Sequence, residues 1–231
     1  MDTRKGTKMK TWLKVLFILL GLILVAILGY VLYKDYYADF MLFLDPKADR
    51  THLMDSIRNH KLKDALLLVA LTAIMCAIPG VPNSVIGIFI GVCFGPWLGV
   101  LMNVVGNITG NLIVIMILRK FGPSKKAKDS RDIIKNISQM KRPIVGITVG
   151  YMVPVIPSVL VNFTAVKLKL PLKSLLLAVT IGVLPTSFLY AFGGDALLKG
   201  NTKIAILSIV CVVFLVFLVK FIRKEQVKSN A

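Results

Sequence analysis

Ile78-Pro79-Gly80-Val81-Pro82-Asn83-Ser84 interrupts an otherwise apolar stretch, with residues 65–78 on one side and 84–94 on the other. Each arm is shorter than the roughly 20 apolar residues that a helix needs to cross a bilayer. Two arms around a proline-bracketed tip make a hairpin that enters the membrane and returns to the side it came from. Irregular backbone at that depth persists only where protein covers it or water reaches it. A second break, Val153-Pro154-Val155-Ile156-Pro157-Ser158, follows about 75 residues later between arms 143–153 and 158–166. Paired breaks in corresponding halves of a chain point to a transport site.

Composition agrees with a membrane setting. The chain has 231 residues, 56% of them hydrophobic, and a mean hydropathy of +0.78. The net charge of +18 invites a nucleic-acid reading. The basic residues flank apolar segments instead, as the positive-inside rule requires, and no basic fold motif occurs, so no nucleic-acid partner is expected. Cys76, Cys93 and Cys211 lie in apolar stretches without CxxC spacing and read as small buried hydrophobes. His52 and His60 show no metal-ligand pattern. No phosphate-binding loop, Ser/His/Asp set or metal cluster appears, so neither an enzyme nor a cofactor is expected.

Residues 12–33, 96–118, 171–191 and 204–222 are long enough to span. Residues 12–33 follow a basic tail, but the run is long for a secretory signal, and Tyr33-Lys34-Asp35-Tyr36-Tyr37 reads as an interfacial belt rather than a cleavage site. The expected fold is all-α and integral to the membrane: four spanning helices plus two opposed re-entrant hairpins in an inverted repeat, with both termini in the cytoplasm. Its organisation is a tail and first span (1–33), an external amphipathic segment (34–64), a core (65–191), and a last span with a cytoplasmic tail (204–231). Within the core lie hairpin 65–94, helix 96–118, a basic loop 119–142, hairpin 143–166 and helix 171–191. This path puts 21 of the 29 Lys/Arg inside and 8 outside, which is the asymmetry that sets orientation.

Helix 96–118 carries the strongest polar constellation. Asn103, Asn107 and Asn111 recur at i+4, so they share one narrow face. Gly106-x-x-x-Gly110 beside them permits close backbone approach. The row reads either as a dry seam glued by amide hydrogen bonds or as the wall of a polar route. Asn83 and Ser84 follow the first proline pair; Ser158 follows the second, with Asn162 one turn on. The substrate path is therefore assigned to Asn83, Ser84, Asn103, Asn107, Asn111, Ser158 and Asn162. Hairpin-tip structure is assigned to Pro79, Gly80, Pro82, Pro154 and Pro157. Arg119, at a helix end, is the headgroup or phosphate candidate. The apolar segments contain no titratable charge, and Asp195 reads as lying just beyond a helix end after Gly193-Gly194. Proton coupling therefore lacks a carrier.

Pro79-Gly80-Val81-Pro82, Gly91-x-x-Phe94-Gly95-Pro96-x-x-Gly99, Gly106-x-x-x-Gly110-Asn111 and Arg119-x-x-Gly122 resemble the first half of the VTT-domain family, also known as the SNARE-associated Golgi protein or DedA superfamily. Pro154-x-x-Pro157, Asn162-Phe163, Ile181-Gly182-x-x-Pro185 and Gly193-Gly194 resemble its second half. The likeness covers about residues 62–200 and looks nearest to the Tvp-type members. It implies two opposed re-entrant hairpins and a role in membrane-lipid homeostasis, since relatives include lipid flippases and scramblases, some acting on polyprenyl phosphates. The family's two acids appear as Asn83 and Asn111 here, and Tyr151 stands where many members have arginine. An amide binds a headgroup but does not titrate near neutral pH. The expected function is the movement or scrambling of a phosphorylated lipid headgroup in a bacterial-type inner (plasma) membrane by a multi-pass protein. Its partners are membrane lipids, anionic or polyprenyl-phosphate, and a second copy of the chain. The alternatives are a non-transporting membrane scaffold and an ion-coupled transporter of a small anion.

Overall fold

A computed structural model describes residues 11–44, 57–58, 62–76, 78, 83–121, 140, 142–153 and 156–201, with further helical residues between 203 and 217. Every regular element among the described residues is helical. They are α1 (Thr11–Leu44), α2 (Leu62–Met75), α3 (Asn83–Phe121), α4 (Pro143–Met152), α5 (Ser158–Lys167) and α6 (Leu172–Lys199). Pro79, Gly80, Pro82 and Pro154 lie outside the described residues, as do most of segment 45–61 and of the basic loop 122–141.

Element α3 is two helices joined at a sharp corner. Gly95 has φ 73° and ψ −176°, a conformation open essentially to glycine alone, and Pro96 starts the next helix with the φ it needs. Across an unbroken helix Gly87 and Asn103 would stand about 24 Å apart, and Asn83 and Asn107 about 36 Å. Instead Asn103 Nδ2 donates to the Gly87 carbonyl at 3.0 Å, and Asn83 Nδ2 to Asn107 Oδ1 at 3.1 Å. The short limb, 83–94, is therefore folded back antiparallel along the long limb, 96–121.

Helix α2 completes the first unit. Leu68, Leu71 and Met75 pack with Ile90 and Met102, and Ile86 and Phe89 join them. A Cβ on Gly106 would lie 2.9 Å from Thr72 Cβ, and one on Gly110 would run into the Ala73 backbone, so α2 lies backbone to backbone on the long limb. Such contact suits a lipid setting, where helices associate through close packing and not through the hydrophobic effect. From α1, Val25, Leu28 and Tyr36 pack on the same cluster.

The second unit repeats this plan. Helices α4 and α5 flank the second break; Gly150 faces Val161, and Ile147, Tyr151, Val161, Ala165, Leu175 and Val179 form one core. Its corner has Lys169 at φ 53°, followed by Pro171 at the N-cap of α6. Pro79 and Pro154, Pro82 and Pro157, and Pro96 and Pro171 share one spacing of about 75 residues, so breaks and corners repeat in register. The units interlock. Helix α5 packs on the long limb of α3, where Asn111 meets Asn162 and Arg119 meets Leu170. The short limb of α3 packs on α6: Gly87 against Tyr190, Gly91 against Ala191, and Gly194 against Ile88 and Val92. The corner at Gly95 lies at one end of the long limb and the corner at Leu170 beside its other end.

Three boundaries differ from expectation. Helix α1 continues through the tyrosine belt to Leu44. Helix α2 begins at Leu62. Helix α6 passes through Gly193-Gly194 and ends at Lys199, with Gly200 as a left-handed cap.

The outer faces are apolar. Trp97, Leu101, Ile113, Met116, Leu177 and Phe188 are exposed, and the long limb of α3 and helix α6 are each long and apolar enough to cross a bilayer. A water-soluble domain rarely shows contiguous apolar surface on this scale.

Candidate functional site

Residues that flank the two breaks come together at the middle of the long limb. The side chain of Cys76, the first residue past α2, interacts with that of Ser158, the first residue of α5. The Cys76 thiol donates to Asn107 Oδ1 at 3.6 Å and accepts from Asn83 Nδ2 at 3.0 Å and Asn111 Nδ2 at 3.7 Å. Asn162 Nδ2 donates to Asn111 Oδ1 at 2.7 Å, and the Tyr151 hydroxyl donates to Asn162 Oδ1. The polar chain thus runs from one unit into the other.

The asparagine row also bonds to backbone. Asn107 Nδ2 donates to the Asn103 carbonyl at 2.8 Å and Asn111 Nδ2 to the Asn107 carbonyl at 2.9 Å. Asn103, Asn111 and Asn162 are each 0% exposed, so the centre is closed in this conformation. It is not fully satisfied. Asn83 Oδ1 and Asn103 Oδ1 are buried without a partner among the described residues. Buried polar atoms are paired in the large majority of cases, so these two mark a place where the packing is not optimised for stability alone.

Of the residues singled out from sequence, Asn83, Asn103, Asn107, Asn111, Ser158 and Asn162 come together in this cluster. Ser84 is half-buried on the short limb, and no hydrogen bond ties it to the others. Pro157 caps α5 in an extended conformation. Arg119 lies away from the centre, where its Nη2 donates to the Leu170 carbonyl at the second corner.

Sequence reading left Cys76, Tyr151 and Asp195 out of the site. Cys76 read as a small buried hydrophobe and Tyr151 only as a departure from the family's arginine; their position immediately beside the breaks was the available signal. Asp195 is a correction. It does not lie beyond a helix end but inside α6, 6% exposed, ion-paired to Arg58 and to Lys199 at 2.8 Å. The i+4 spacing of Asp195 and Lys199 was legible; Arg58 lies too far away in sequence for any local pattern to supply it.

Two interlocked units of helix, break, helix and long helix, with an apolar exterior and an uncharged polar centre, define an all-helical membrane protein of transporter-like build. The VTT domain family matches residues 81–196, half of the chain, and the chain belongs to that family. Its members, the DedA proteins, are membrane proteins regarded as transporter-like, with transport or lipid roles, and not as enzymes. No curated protein and no solved structure matches the chain.

Proposed function

We propose that this VTT-domain protein moves a phosphorylated lipid headgroup between leaflets by parting the two tips that meet at Cys76 and Ser158. The tips belong to re-entrant hairpins that dip into the bilayer from opposite sides, in a multi-pass plasma-membrane protein of Tvp type with both termini in the cytoplasm. The observation that carries the reading is the meeting itself. Two breaks far apart in sequence deliver Cys76, Asn83, Asn111, Ser158 and Asn162 to one uncharged, hydrogen-bonded cluster halfway along the long limb. Opposed broken helices converging at the membrane midplane are the architecture of a substrate site with alternating access. The corners at opposite ends of the long limb support opposed entry of the two hairpins.

Reconstitution into vesicles with labelled phospholipids and polyprenyl phosphates tests this. Exchange between leaflets above the protein-free rate is the expected result; none across the whole panel removes the proposal. A second reading, a membrane scaffold, is favoured by the full burial of Asn103, Asn111 and Asn162. Replacing Asn103, Asn107 and Asn111 with small apolar residues separates the two. A scaffold loses assembly or stability, whereas a transporter stays folded and loses flux.

A further inference from the structure

Each corner of the fold carries a guanidinium. At one end Arg119 Nη2 donates to the Leu170 carbonyl. At the other, Arg58 lies over Gly95, so close that a Cβ there would sit 3.7 Å from Cζ and Nη2. Arg58 Nη2 donates to Asp195 Oδ1, while Lys199 Nζ stands 2.8 Å from Asp195 Oδ2. Among the described residues, two cations on one carboxylate leave one positive charge in excess. Arg58 Nε is buried and has no partner among the described residues. The guanidinium is a fork of five donors suited to bidentate recognition of phosphate, and Asp195 takes it through Nη2. Gly95 puts no side chain between the fork and its surroundings.

We propose that Arg58 and Lys199 form a docking site for a phosphate-bearing anion at the Gly95 end, and that Asp195 is the carboxylate the phosphate displaces. This rests on the headgroup-moving reading above and names where the phosphate docks. A phosphate offers several acceptor oxygens and up to two charges, against the single charge of Asp195. It engages Nη2 and the idle Nε together while Lys199 binds another oxygen. With no phosphate bound, Asp195 keeps the two cations in place. Trp97, two residues from Gly95 and 71% exposed, sits beside Phe192 at 5.4 Å and reports on this end.

The test uses the full chain with Trp12→Phe, which leaves Trp97 as the sole tryptophan, in nanodiscs containing brominated phosphatidic acid or brominated phosphatidylcholine. Bromine quenches Trp97 when a lipid docks. The phosphatidic acid is expected to quench at lower mole fraction. Arg58→Gln is expected to weaken that preference about tenfold, Arg58→Lys to restore part of it, and Asp195→Asn to strengthen it severalfold. Soluble glycerol phosphate that relieves the quenching assigns the site to the phosphate group whatever carries it. No relief, with the preference intact, assigns it to the membrane-bound headgroup. Asp195→Asn weakening binding as much as Arg58→Gln, in protein that stays monodisperse and helical, overturns the proposal, because the pair is then purely structural. So does an unchanged preference in Arg58→Gln. Docking without leaflet exchange removes the transport reading and leaves this site standing; exchange without docking does the reverse.

Discussion

Replacing Asn111 and Asn162 by leucine, singly and together, probes the bond on which the meeting of the two units depends. Leucine keeps the branched shape, though it is bulkier, and removes both donor and acceptor. Asn162→Leu deprives Asn111 Oδ1 of its donor and the Tyr151 hydroxyl of its acceptor, and both residues are buried. In a water-soluble core each orphaned group costs about 1–3 kcal/mol, which would make the substitution worth about 2–6 kcal/mol. In a bilayer the unfolded helices still find polar partners, and measured inter-helix bonds average about 0.6 kcal/mol with a maximum near 1.7. The membrane figure governs here, because these residues sit halfway along a helix clothed in lipid. Each single variant is therefore expected to lose about 1–2 kcal/mol. The double variant should lose about 1 kcal/mol less than the sum, since the bond is lost only once. Reversible unfolding by a denaturing detergent in mixed micelles, followed by far-UV circular dichroism, gives the three values. Additivity within about 0.3 kcal/mol, with each single variant folded, refutes the direct bond and with it the contact between units.

Three further outcomes follow from particular positions. Gly110→Ala drives a methyl into the Ala73 backbone, which cannot yield, and should cost about 1–3 kcal/mol; Gly21→Ala, with nothing within 4 Å of its Cβ, should gain about 0.5–1 kcal/mol as a helix-interior glycine removed. Thermal unfolding in detergent reads both, and equal effects from the two would discredit the α2 packing. Gly95→Ala places a side chain at φ 73° and should cost about 1–3 kcal/mol through strain alone, visible as a lower midpoint in the same assay; no loss would mean that the corner is not held in that conformation. Ser158→Cys, in a chain with Cys93 and Cys211 replaced by alanine, should form a disulfide with Cys76 on mild oxidation and lose leaflet exchange until reduced; undiminished exchange in fully cross-linked protein rules out parting of the tips.

The sequence made the breaks legible because proline removes a donor and blocks helix in the residue before it, whatever the tertiary context. Gly95-Pro96 was legible for the same reason, as glycine and proline each restrict the backbone locally. The asparagine row was legible because i+4 spacing is a property of one helix. What joins the units was not legible: neither Cys76 with Ser158 nor Asn111 with Asn162 leaves a local pattern. Gly193-Gly194 misled in the other direction. Glycine costs about 1 kcal/mol in a helix interior, so the pair looks like a stop. Gly194 is retained inside α6 because any side chain there would strike the Ile88 carbonyl and the Val92 nitrogen. Packing against the short limb outweighs propensity, and the extra turn carries Asp195 into the protein.

The closed centre is built so that opening it is cheap. Asn107 and Asn111 give their amide protons to the carbonyls of Asn103 and Asn107, four residues back. In a helix those carbonyls already accept a backbone N–H, so the amide occupies a second lone pair that needs no partner. Lifting either amide from its carbonyl orphans no backbone group and forfeits a net bond of about 0.5–1.5 kcal/mol, apart from the bonds that Asn107 Oδ1 accepts from Asn83 and Cys76 and that Asn111 Oδ1 accepts from Asn162. A phosphate oxygen would return more than that through charge-assisted bonds. The contacts between units behave differently. Parting Asn111 from Asn162 leaves Asn111 Oδ1 without its donor and Asn162 Nδ2 without its acceptor, while the Tyr151 hydroxyl keeps hold of Asn162 Oδ1, and the lost bond returns the tips to each other once a guest has gone. Under the proposed function, then, the row of asparagines supplies donors that are free to exchange, and the Asn111–Asn162–Tyr151 chain supplies the restoring force. Weakening that chain by Tyr151→Phe should therefore raise the rate of leaflet exchange while lowering stability, and a scaffold has no means of producing that pair of opposite changes.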